Sequence, residues 1–206
     1  MAASPTLNRV FEAAWEDMSR AESDGLWDHF YERFGFHPST KREGPGIQEP
    51  TPSFTLDVSG ICRVDASNRV ANMDSFVRQV RDLDLKAAAA FQRCTSRSDR
   101  IAVLDWQHPC YWLWPHRLDL EELRRTWELD PGVTAEGAHH LSWPDMRRSV
   151  YPDGDYYIFL GEDLSFGTFG HPWEQTICVF GRTLLDTRLV EEIALPVVRC
   201  DGGPVS

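Results

Sequence analysis

Along the chain the spacing of apolar positions changes several times, and each change predicts an element. Leu7, Val10, Phe11, Ala14, Trp15 and Met18 recur every three to four residues, which predicts an N-terminal helix. After Ser23-Asp24-Gly25 a second stripe of Leu26, Trp27, Phe30, Tyr31 and Phe34 predicts another helix, ended by Gly35 and kept from resuming by Pro38. Residues 37–53 are rich in Pro, Gly and charge and predict a loop, and the alternation over Phe54–Val58 predicts a strand. A longer amphipathic helix follows. Asn72 or Asp74 caps it, and Phe76, Val80, Leu83, Ala87 and Phe91 form its apolar face.

The second half is strand-rich. Ile101–Trp106 and Cys110–Trp114 flank a short connection containing His108-Pro109, which predicts a hairpin. Leu120, Leu123 and Trp127 predict a short helix over 118–129, and residues 130–150 read as an irregular surface segment. Pro152-Asp153-Gly154-Asp155 is a turn signal that launches a strand over 156–160. A glycine-spaced strand over 166–170 and a further strand over 176–180 follow, then a last helix over 184–194. Helices flanking a block of short strands predict α+β layering: a single domain, mainly antiparallel sheet flanked by helices. The division is an N-terminal helical extension over 1–22, one α+β domain over 23–195 and a tail over 196–206, within 206 residues that suit a single domain.

Two long motifs carry a resemblance. Leu104-Asp-Trp-Gln-His-Pro-Cys-Tyr111 is one; Tyr151-Pro-Asp-Gly-Asp-Tyr-Tyr-Ile-Phe-Leu160, running on into Phe166-Gly-Thr-Phe-Gly-His-Pro-Trp-Glu-Gln-Thr176, is the other. With Leu26-Trp-Asp-His-Phe-Tyr-Glu-Arg-Phe34 and Ile47-Gln-Glu-Pro50, the chain resembles the uncharacterised bacterial family called domain of unknown function 2716, over roughly residues 24–190. The resemblance implies a bacterial, actinomycete-type, cytosolic single-domain protein. It implies no reaction. The first helix and the stretch around 130–145 are additions to that pattern.

Charge narrows the partners. Lys and Arg total 21 against 32 Asp and Glu, a net −11 at pH 7. Such a surface repels phosphate backbones and anionic lipid, so nucleic acid and membrane surfaces are disfavoured. A basic protein, or a small neutral or cationic substrate, suits it better. No run approaches the ~20 apolar residues of a membrane helix, and Met1–Arg9 lacks the basic-then-apolar order of a secretory leader. Five Cys at irregular spacing, with no CxxC, read as reduced thiols in a cytoplasm.

The polar groups at strand ends are Asp105, Gln107, His108, Asp153, Asp155, His171, Glu174 and Gln175. Pro follows both His108 and His171 and restricts each to extended geometry, so both imidazoles are held stiffly, as acid–base work requires. The expected site is a rim. His171 is its acid or base, Glu174 or Asp105 orients it, and His108 and Gln107 bond the ligand. Trp106 and Trp173 are walls, and Gln175 and Tyr111 are further ligand contacts. The reading needs the two imidazoles side by side around an open hollow. A metal set of His108, His171 and Glu174, with Asp105 or Asp155 nearby, lacks converging ligand spacing, so no metal is assigned. Cys110 shares a strand face with His108 only if Pro109 leaves the strand regular. No P-loop, GxGxxG or nucleophile elbow occurs, so no cofactor is assigned. The sequence thus supports a cofactor-independent acid–base enzyme or small-molecule-binding domain; the alternative is a non-catalytic, immunity-type inhibitor of a basic partner.

Overall fold

The computed structural model describes residues 13–39, 44–62, 73–129 and 149–205. The Leu7–Phe11 part of the first stripe, Asn72, and the irregular segment up to residue 148 lie outside them.

In chain order the elements are β1 (Trp15–Asp17), α1 (Arg20–Phe34), β2 (Ser53–Asp57), α2 (Met73–Cys94), β3 (Ile101–Asp105) and β4 (Tyr111–Leu113). A 3-10 turn (Pro115–Arg117) and α3 (Leu120–Leu129) follow. The remainder is β5 (Tyr157–Gly161), β6 (Gly167–His171), β7 (Thr176–Phe180), α4 (Arg182–Leu185), α5 (Leu189–Ile193), β8 (Val197–Cys200) and β9 (Gly203–Pro204). Among the described residues the strands form one nine-stranded sheet, ordered β1-β4-β3-β5-β6-β7-β2-β8-β9, and every pairing is antiparallel. The fold is a single α+β domain, as the patterning predicts, and the β3–β4 hairpin forms as expected.

Both faces of the sheet are covered. Strand alternation sends Ile101, Val103, Phe159, Ile177 and Val179 into a core shared with Phe76, Val80, Leu83 and Phe91 of α2. It sends Ala102, Leu104, Ile158, Leu160, Cys178 and Phe180 into a second core with Phe30 and Phe34 of α1. Burial on both sides is why β3 and β7 read as unbroken apolar runs rather than alternating ones.

Four expectations are corrected. Residues 15–17 are not helical: they form β1, paired in register with Tyr111–Leu113. The helix expected from Leu26 starts at Arg20, passing through Ser23-Asp24-Gly25. Ser19 and Glu22 make a capping box that supplies the start signal. No atom lies within 4 Å of where a Gly25 Cβ would be, so that glycine costs only its helix propensity, about 1 kcal/mol against Ala. Residues 196–206 are not merely a tail, because β8 pairs with β2 and β9 pairs with β8. The final helix is also two short ones, α4 and α5.

Gly167 explains the glycine spacing of β6. A Cβ there would sit 2.2 Å from the Phe159 carbonyl oxygen, so only glycine lets β5 and β6 approach at that pair.

Candidate functional site

The end of β3 and the approach to β5 meet because the two strands run antiparallel, with Asp105 opposite Tyr157. Asp155 precedes Tyr157 by two residues and is brought to the same end of the sheet. His108, three residues beyond Asp105, folds back over both. Its Nδ1 stands 3.0 Å from Asp105 Oδ1 and 3.4 Å from Asp155 Oδ2. The carboxylates are sealed, with side chains 0% and 5% exposed, whereas the imidazole is 55% exposed.

Main-chain donors orient both acids. Gln107 N–H donates to Asp105 Oδ1 at 3.3 Å, and Tyr156 N–H donates to Asp155 Oδ1 at 2.7 Å. Asp155 Oδ2 is buried, and beyond the His108 ring its neighbour is the carboxyl group of Asp105. Burial, and then the neighbouring Asp105 charge, push the Asp155 carboxyl up to about 6, against the lowering effects of the Tyr156 N–H and of His108. Two carboxyl groups and an imidazole this close can share a proton or hold a cation between them.

His171 is elsewhere. It closes β6, and β5 stands between β6 and β3, so the ends of β3 and β6 are two strand spacings apart, about 9.5 Å, with His108 in the connection beyond β3. The expected juxtaposition of His108 and His171 does not form. His171 is 1% exposed. It packs edge-on against Tyr156 (4.9 Å between centroids) and near Trp173 and Phe169. Its Nδ1 accepts the Glu174 N–H at 3.1 Å, and its Nε2 lies 3.5 Å from the Tyr156 hydroxyl. Burial holds its pKa below 6.5; the Glu174 charge opposes this and that of Arg199 reinforces it. Tyr156 in turn donates to the Ser39 carbonyl at 2.9 Å and accepts from the Ser39 N–H at 3.1 Å. His171 also lines a hollow of about 180 Å3 with His37, Ser39, Gly46 and Gln48. Together Tyr156 and His171 fasten the loop that follows α1.

Glu174 does not serve His171 with its carboxylate. Arg199 of β8 grips both oxygens at 2.7 and 2.8 Å, and Thr176 Oγ1 donates to Oε2 at 2.9 Å. Burial alone would raise Glu174; the bonds from Arg199 and Thr176 outweigh it and hold the carboxyl below its ordinary value. Arg199 also bonds Glu49 Oε1 at 2.8 Å, so one guanidinium clamps two acids.

The remaining expected residues divide. Gln107 is exposed beside His108. Trp106 and Trp173 are partly buried against Tyr156, on the α1 face. Gln175 turns the β6–β7 hairpin at φ +57, and its carbonyl accepts the Val58 N–H. Tyr111 is not at the rim: it is buried on the α2 face, edge-on to Trp15. Cys110 is buried, with its thiol donating toward the Asp105 carbonyl at 3.8 Å. All five cysteines are free, and among the described residues no helix is long and apolar enough to cross a membrane. Asp155 is the residue whose part the sequence reading understated. As one of two Asp around Gly154 it read as a turn former, and its partner Asp105 lies 50 positions earlier.

The chain matches the family described as "Protein of unknown function (DUF2716)" over residues 17–134 and 130–185. It is similar to the "Uncharacterized protein YxiI" of Bacillus subtilis (strain 168), 27% identical over 172 residues that cover 84% of this chain and 90% of that protein. No solved structure matches it.

Proposed function

Since the chain belongs to this family of unknown function, its role has to be read from its own residues, and we propose that it binds a small cationic ligand at the Asp105–His108–Asp155 rim. It is then a ligand-binding or enzymatic domain of small-molecule metabolism, in a bacterial cytoplasm. One observation carries the reading: two sealed carboxylates converge on an imidazole that is more than half exposed. Burying carboxylates is costly unless a positive partner is supplied. The same fold shows how a purely structural pair is treated, because Glu49 and Glu174 share the permanent charge of Arg199. Asp155 instead faces an imidazole whose charge depends on protonation and which is itself exposed to solvent. The acidic composition favours approach of a cation. Five unpaired cysteines agree with a reducing compartment.

The test is a thermal-shift panel of amines, polyamines, basic amino acids and metal cations. A hit that raises Tm in the natural chain and in His171→Ala, but not in Asp155→Asn or His108→Ala, supports the reading. A hit that survives both rim substitutions refutes it.

A second reading rests on α1. Asp24, Asp28 and Glu32 are exposed at four-residue intervals along one helical row. That row suits capture of a basic protein, in the manner of an immunity-type inhibitor. Binding of such a partner that is lost in D24N/D28N/E32Q and kept in Asp155→Asn favours it over the rim.

A further inference from the structure

We infer that the cation held at the rim is a divalent transition-metal ion, coordinated by Asp105, His108 and Asp155. The inference rests on the reading of the rim as a cation site and names the cation's class.

Geometry is the first argument. Metal–oxygen and metal–imidazole bonds of about 2.1 Å place neighbouring ligand atoms about 3.0 Å apart in an octahedron and about 3.4 Å apart in a tetrahedron. His108 Nδ1 stands 3.0 Å from Asp105 Oδ1 and 3.4 Å from Asp155 Oδ2. One ligand atom from each of the three residues falls within 4.8 Å of the others. The two edges from His108 thus fall in the range of ligand–ligand separations around a metal ion, and the third is no longer than 4.8 Å.

The second argument is independent of spacing. Asp155 has a side chain 5% exposed, and among the described residues its Oδ2 is met only by the His108 ring at 3.4 Å and by the carboxyl group of Asp105, itself an acid. Two sealed carboxyl groups that face each other and share one imidazole are short of positive charge, a cost in free energy that a bound cation removes. The other oxygen is fixed by the Tyr156 N–H at 2.7 Å, and Asp105 Oδ1 is met by the Gln107 N–H at 3.3 Å. Such outer contacts aim ligand oxygens and hold their orientation.

Donor type narrows the ion. Two carboxylates and one imidazole suit Zn2+, Mn2+, Fe2+ or Co2+ better than an all-oxygen site suited to Ca2+, and the absence of thiolate from the set disfavours Cu+. On binding, any hydrogen on Nδ1 is released to solvent, and the neutral ligating ring carries its one hydrogen on Nε2. Three protein ligands leave coordination positions open, and the exposed side of His108 sets them toward solvent. The ligand class that fits those positions is small and oxygen-bearing: a carboxylate, a phosphate or a hydroxy-carbonyl group.

The experiment uses the full chain stripped with chelator. Zn2+ alone is titrated by calorimetry and Co2+ alone by visible absorption. One equivalent of each binds the natural chain, and Co2+ develops ligand-field bands. His108→Ala and Asp155→Asn each weaken binding at least tenfold. His116→Ala, a control histidine bonded to the Thr95 carbonyl, and His139→Ala/His140→Ala leave it unchanged. His108 is exposed, so its substitution decides the matter even if Asp155→Asn fails to fold. Failure of Zn2+ and Co2+ to bind, or binding unaffected by His108→Ala, overturns the metal site. If the metals fail while an organic cation still binds and needs Asp155, the metal inference falls and the rim reading stands. If every cation fails, both fall.

Discussion

The main-chain N–H of Glu174 donates to Nδ1 of His171 at 3.1 Å. That bond decides what His171 does. A ring nitrogen that accepts a main-chain donor carries no hydrogen, so the neutral ring keeps its proton on Nε2, toward Tyr156. The residue that the proline-flanked motif presents as an acid or base is a buried fastener of the loop after α1.

His171 is therefore expected to be neutral at pH 7, as the Nε2–H tautomer, with a transition below 6.5; nitrogen-15 NMR of the imidazole reads both. Its folded pKa is depressed by burial, so the stability it contributes is present above 6.5 and is lost as pH falls through the lower folded value. His171→Ala removes a buried ring and two polar contacts and costs about 3 kcal/mol in a urea titration, with cation binding at the rim retained.

Asp84 of α2 predicts the opposite pH trend. It is 1% exposed, and its Oδ1 accepts from Ser149 Oγ at 2.8 Å and from the Val150 N–H at 2.9 Å. Burial pushes its carboxyl up to about 7; the two hydrogen bonds oppose the rise and Asp153 adds to it. The acid is protonated in the fold when the unfolded chain has already released that proton. The stability that Asp84 contributes is then greatest below 3.8 and falls as pH rises toward 7. The interval between those values corresponds to about 4 kcal/mol at most. Asp84→Asn flattens this slope, so the variant gains on the natural chain at pH 8 relative to pH 5. Denaturation midpoints across that range check it, and a slope unchanged in the variant contradicts it.

Arg199 holds β8 to the body of the sheet through Glu49 and Glu174. Replacing it with Met leaves the sealed carboxylate of Glu49 and the part-exposed one of Glu174 without their cation, a loss of about 3 kcal/mol. Hydrogen exchange should rise first over residues 197–204, and Arg199→Lys should recover only part of the loss, because an ammonium cannot grip both Glu174 oxygens in parallel. Uniform exchange across the sheet in the Met variant would contradict this local role.

Local signals made most elements legible. The β3–β4 hairpin, β7 and α2 follow from apolar runs and helical spacing, which depend only on neighbouring residues. What sequence hid was non-local. β1 is three residues long, too short for alternation to register, and it exists because Tyr111–Leu113, some 96 positions on, offers it a partner. The start of α1 was encoded locally in Ser19 and Glu22 but masked by the turn-like Ser23-Asp24-Gly25. At the site, Asp105 and His108 could be named because they share a motif. Asp155 joins them only through the register that sets Asp105 opposite Tyr157. Both prolines do follow their histidines, but stiff placement carries no information about which strand lies between.

The outermost strands of the sheet come from opposite ends of the polypeptide: β1 borders β4, and β8 with β9 borders β2. A version trimmed to residues 23–195 would therefore bare two rows of backbone amides and carbonyls at once. Each bare row is a template for strand exchange between molecules. Shortened variants made for solubility or crystallisation should keep residues 13–205 whole, since shaving what looks like an appendage would open both flanks to self-association.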